Sequence, residues 1–116
     1  MDFRPVKLYA GQPGTVAAAL YTEAQTEQTV IDNVIICNTT AGAAVLTTLD
    51  VVPSGGTAGV THRIAGGLSV AANATVSLAS SLAVLGIVLA EGDALWGSQT
   101  TASALTLTVT GRAAHN

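Results

Sequence analysis

Two histidines, one cysteine, seven carboxylates and four cations are all that this chain of 116 residues offers for chemistry. Catalysis needs such groups brought together in a site, so their spacing decides first. His62 stands beside Arg63 on a segment expected at a sheet edge, and His115 lies one residue from the last. That spacing fits no metal site, and His62 reads as an exposed polar strand residue without a partner motif for general-base work. Glu91 and Asp93 flank Gly92, and paired carboxylates can exchange protons or bind calcium. The calcium loop, with its oxygen ligands at every second position, is absent, and the order Ala90-Glu91-Gly92-Asp93 between strand-like runs predicts a hairpin turn. Gly55-Gly56 and Gly66-Gly67 lack the lysine and following helix of a phosphate-binding loop and are expected to be turns. Cys37 closes the most apolar run with no base pattern nearby, so a buried, inert thiol is expected. These readings leave no catalytic, cofactor or metal site, and the chain is expected not to be an enzyme.

Recognition by contact area is what remains, and aromatic residues dominate the energetics of most interfaces. Phe3, Tyr9, Tyr21 and Trp96 are the whole aromatic set. A carbohydrate or receptor-binding module would use Trp96 and Tyr21 as stacking platforms, although a sugar-binding module normally carries several rings on one face. Trp96 reads either as a cap on the core or as an interface anchor. Near the start, Phe3, Val6, Leu8 and Tyr9 surround Arg4, Pro5 and Lys7 ahead of the break Gly11-Gln12-Pro13-Gly14. That composition suits an edge strand of the chain's own sheet, or an arm that pairs with a neighbouring subunit. Phe3, Arg4, Val6, Leu8, Tyr9, Tyr21 and Trp96 are therefore the candidate interface residues.

Charge argues in the same direction. Charged residues make up 9% of the chain, against about 25% in an ordinary soluble domain, and the net charge is −3. No basic footprint exists for a phosphate backbone or an anionic membrane, so nucleic acid and membrane surfaces are not expected partners. A mean hydropathy of +0.53 excludes intrinsic disorder. A lone cysteine excludes a disulfide framework. The opening Met1-Asp2-Phe3-Arg4-Pro5 lacks the apolar run of a secretory signal, which points to synthesis in the cytoplasm. Leu78 to Ala90 is too short for the roughly 20 apolar residues of a membrane helix. Sixteen threonines occupy much of what charge would otherwise fill. A surface so neutral gives up colloidal repulsion, and it suits a protein packed against other subunits, where buried charge would be costly.

The elements that carry these residues are strands. Leu105-Thr106-Leu107-Thr108-Val109-Thr110 alternates strictly, which sets Leu105, Leu107 and Val109 toward a core and the threonines away from it. The same period places Val45, Leu49 and Val51 on one face and Thr48 and Asp50 on the other, and it recurs in Ala74-Thr75-Val76-Ser77-Leu78. Thr29 to Cys37 is β-branched and, after Asn33, apolar on both faces, as expected of a central strand covered on both sides. Alanine-rich Thr15 to Ala24 reads as a loop and a short strand around Leu20-Tyr21-Thr22, while Ser80 to Leu85 has room for one helical turn. Turn clusters recur at strand-sized intervals. The expected fold is all-β: a single-domain β-sandwich, jelly-roll or Ig-like, of about eight short strands. Residues 1–14 form the arm or edge strand, 15–111 the sandwich, and 112–116 a C-terminal tail.

Four segments, Leu20-Tyr21-Thr22, Ile35-Ile36-Cys37-Asn38-Thr39-Thr40, Val52-Pro53-Ser54-Gly55-Gly56-Thr57-Ala58 and Leu89-Ala90-Glu91-Gly92-Asp93, together resemble small bacteriophage virion proteins of the β-sandwich type that attach to capsids or tails. The resemblance implies a structural role: a head decoration (cement) protein, or alternatively a tail-tip or baseplate component. It further implies residence in the virion, homo-oligomers, and the major capsid protein or tail proteins as partners, with no cofactor.

Overall fold

The computed structural model describes residues 4–23, 27–78 and 87–115, so Phe3 and the suggested turn at Ser80 to Leu85 lie outside the described residues. Among the described residues nine strands run in the order β1 (Arg4–Gly11), β2 (Ala18–Thr22), β3 (Glu27–Asn38), β4 (Ala44–Val52), β5 (Arg63–Val70), β6 (Thr75–Ser77), β7 (Ile87–Leu89), β8 (Ala94–Gln99) and β9 (Leu105–His115). A 3-10 turn, Val60–His62, leads into β5. One sheet has the order β1-β9-β3-β6, with β7 also on β3, and the other has the order β2-β8-β4-β5. No helix among the described residues is long and apolar enough to cross a membrane.

β6 pairs with Ile35 to Cys37 and β7 with Thr29 to Ile31, while β9 takes the other edge of β3. β6 and β7 thus share one strand position, which leaves four positions in each sheet. The chain changes sheet at every connection except β4 to β5 and β6 to β7. Eight positions joined in this way make a jelly roll, and this strand order decides between the two expected kinds of sandwich.

Alternation explains most of the core. Leu105, Leu107 and Val109 of β9 are buried, as the threonine repeat requires, and they meet Ile31, Val34 and Ile36 of β3 and Leu46, Leu49 and Leu95 of the second sheet. Each such side chain contributes roughly 1.5–3 kcal/mol on leaving water. In β3 only one face is fully buried. Val30, Ile35 and Cys37 are half-buried on the other, so the strand is not covered on both sides and Cys37 is not a fully buried thiol.

Bulges account for the error in β4. An extra residue relative to β8, at Thr47, shifts the alternation, and Ala44, Leu46 and Leu49 reach the core, with Val45 outside it. Thr48 lies on the opposite face, where its Oγ1 is 2.7 Å from Ser98 Oγ. Gly66 and Gly67 are not a turn. They lie within β5, where Gly67 takes a φ of 62° that a residue with a Cβ would resist.

Buried amides hold the corners. The Gln99 side chain donates to Pro13 O at 2.6 Å and accepts from Leu105 N at 2.7 Å, and so pins the β1–β2 connection against β9. Asn38 donates to Gly42 O and Val70 O at 2.8 and 3.0 Å and accepts from Thr40 N at 2.9 Å. The Glu91-Gly92-Asp93 turn joins β7 of one sheet to β8 of the other, so it is a sheet-crossing corner and not a hairpin. Asp93 closes it by accepting from Ala90 N at 3.0 Å and Ser54 N at 3.2 Å. Residues 112–115 are no tail. β9 continues through them because Gly111 lets it approach β3 closely, and Ala113 and Ala114 are buried.

Candidate functional site

Arg4, Val6, Leu8 and Tyr9 all lie on β1, which pairs antiparallel with β9 of the same chain from Arg4 opposite Ala113 to Gly11 opposite Leu107. Residues 4–11 are thus an edge strand. The register slips between Lys7 and Tyr9, which turns both Leu8 and Tyr9 toward the core cluster. Arg4, Pro5 and Lys7 are exposed.

Tyr21 and Trp96 do not share a face. Tyr21 on β2 stands opposite Leu95, packs against the core, and donates its hydroxyl to Glu23 Oε1 at 2.8 Å. Trp96 stands opposite Ala19, one residue on from Leu95, and alternation carries it to the outer face. The neighbouring Gly97 points inward, where an added Cβ would meet Leu20 Cδ1 at 3.0 Å and Leu49 Cδ1 at 3.6 Å. A two-ring stacking platform of Tyr21 and Trp96 is therefore not assembled within the chain.

What the register brings together around Trp96 was not evident from spacing. Ala19, Trp96, Asp50 and Arg63 form one row across β2, β8, β4 and β5. Asp50 is 1% exposed, and Arg63 Nε donates to its Oδ1 at 2.8 Å and Nη2 to its Oδ2 at 3.4 Å. The Arg63 stem lies over Gly66, where a Cβ would meet Cδ at 2.8 Å. The hydrogen bond to Asp50 raises the guanidinium pKa above its ordinary value. The only sequence signal for this pair was a carboxylate at a strand position flanked by apolar residues. Its partner lies thirteen residues away, across a turn.

The other candidates for chemistry stay apart. Among the described residues no group of three or more histidine, cysteine, aspartate or glutamate side chains is placed to hold a metal ion. His62 is half-buried in the 3-10 turn before β5. Glu23 is buried, with its Oε2 lacking a hydrogen-bond partner, and its backbone pairs with the Gly92-Asp93 corner.

Four sheet edges are more distinctive than any cluster. The edge at β1 carries Arg4, Pro5 and Lys7, and the edge at β6 and β7 is divided between two short strands. β2 is five residues long and bulged at Leu20. β5 is eight residues long and carries Arg63 as its one charge, turned back onto Asp50 of its own chain.

No protein-family model and no curated protein matches the chain. Among solved structures, those of infectious bursal disease virus strains Gx and Gt each contain a chain similar to it, both at 13% identity over 97% of its length, with TM-scores of 0.49 and 0.43. The present chain spans about a third of those chains, 31% and 32%.

Proposed function

We propose that this protein is a structural subunit of a virion, most specifically a phage head decoration (cement) protein that bridges capsid subunits by burying surface and adding strands. The observation that carries the reading is the sparsely charged outer surface of the jelly roll, where Arg4, Lys7 and the Arg112–Asp32 pair stand among neutral residues. Thr47, Thr75, Ser69, Ala18, Ala19 and Gly67 are exposed on strands where charge would keep a free monomer soluble. Desolvating such a surface leaves few unpaired charges, so a large area can be covered at little electrostatic cost. Many copies on one particle then bind tightly through avidity, without a strong single contact. Partners are the major capsid protein or tail proteins and further copies of this chain, and no chemical step is required. A tail-tip or baseplate location would draw on the same surface.

The test is co-sedimentation of the purified protein with particles that lack it, followed by imaging of the particle surface. The protein is expected to pellet with the particles, and equally well at low and moderate salt, since few ion pairs are there to be screened. Failure to pellet removes the virion reading. Release by moderate salt removes the argument from neutrality.

A further inference from the structure

We propose that the outer edge of β5, which no strand among the described residues pairs with, joins antiparallel to the same edge of a second copy and so makes two four-stranded sheets into one. The pairing extends the assembly reading and rests on it only in supposing that copies meet. The choice of edge follows from what guards the others. Exposed edges are normally blunted by lysine, proline, bulges or shortness. β1 has Pro5, without an N–H to donate, Lys7, and a bulge at Leu8. The edge at β6 and β7 is two three-residue strands. β2 has five residues and runs into Glu23, whose backbone is taken by Asp93 O and Gly92 N. β5 carries a bulge at Ile64 opposite β4, but no lysine, no proline and no uncompensated charge.

The occupant follows from the side-chain pattern of β5. Ile64, Ala65 and Leu68 pack against the core yet remain half-exposed, so the margin of the core is open along this edge. Arg63, Gly66, Gly67 and Ser69 lie toward the other face. A strand added here must be apolar at two positions four apart, small between them and nearly neutral, and β5 itself fits that description. With a two-fold axis at Gly66, Ile64 stands opposite Leu68 of the second copy and Arg63 opposite Ser69 of the second copy. Ala65 then meets Gly67 of the second copy, which has no side chain to misplace. A slip of one residue would set Ile64 against Ser69 and Arg63 against Val70, apolar against polar, so the pattern selects the register. Gly66 and Gly67 leave the centre clear where the two backbones approach.

Sedimentation velocity over a range of concentrations tests the pairing on the full chain and on two variants at the exposed Ser69. The wild-type protein is expected to dimerise. Ser69→Lys places an ammonium beside the Arg63–Asp50 pair of the second copy, nearer its guanidinium, at two symmetric contacts and should weaken the dimer about twofold, and Ser69→Glu should tighten it by a similar factor. Equal circular dichroism and thermal midpoints establish that both variants fold. A wild-type monomer at every concentration, or two variants that shift the dimer in the same direction or not at all, overturns the proposal. A monomer that still pellets with particles ends the β5 pairing and leaves the virion reading. A dimer with the expected signs that pellets with none does the reverse.

Discussion

β1 and β5 are both eight-residue edge strands, one in each sheet, and each carries a bulge, but they differ in proline and in lysine, two of the features that govern whether an edge accepts a neighbour. β1 displays cations, a proline and a bulge, and its apolar residues Leu8 and Tyr9 turn inward. β5 displays glycine and serine, and its Ile64 and Leu68 are half-buried at the core margin, as Leu8 and Tyr9 are on β1. Pro5 and Lys7 are features that blunt an edge, and β5 has neither.

Removing residues 1–9 is the severest way to break this comparison. It uncovers β9 and takes Leu8 and Tyr9 from the core, so an unfolded or insoluble product is expected. A soluble, folded domain that has lost only attachment would restore β1 as an arm. Gly111→Ala comes next. A Cβ there collides with the Val30 carbonyl oxygen, at the place where β9 joins β1 to β3, and should cost about 3 kcal/mol or more in denaturant unfolding. An unchanged midpoint would mean that these strands are not so closely packed.

The ion pair at the start of β5 should respond asymmetrically. Arg63→Met strands the buried Asp50 carboxylate, whereas Asp50→Asn leaves a guanidinium that can turn to water. Thermal melts are therefore expected to show the larger loss for the arginine variant, and the reverse order would contradict the burial described for Asp50. Smallest in stability is Lys7→Thr, within about 0.5 kcal/mol of wild type. Its effect should appear as aggregation seen by light scattering, because the guard on β1 is weakened. Unchanged solubility would show that Pro5 and the bulge suffice.

Strand identity was legible wherever period-2 alternation ran without interruption. Leu105 to Thr110 and the short strand at Leu20 to Thr22 fall where the pattern puts them, and the two-sheet sandwich follows from their number and spacing. Bulges were not legible. One extra residue at Thr47 exchanges Val45 for Leu46 in the core, and nothing in a single sequence marks which threonine is the extra one. Gly66-Gly67 has the composition of a turn, yet it lies within a strand that pairs with β4 in unbroken register from Ala65 to Val70. Arg112 to His115 looks like a fraying end, although it pairs with β3, and Ala113 and Ala114 are buried. The Asp50–Arg63 pair and the row through Trp96 depend on register between strands, which is set by long-range packing and not by local pattern.

Amide hydrogen exchange of the full chain, followed as protein concentration is raised, tests most directly whether copies meet through the β5 edge of the second sheet. In dilute solution the outward amides of β5 should exchange quickly, and with rising concentration protection should appear in Arg63 to Val70 while β1 stays unchanged. Protection that grows in Arg4 to Gly11 and leaves β5 unaltered would contradict the account.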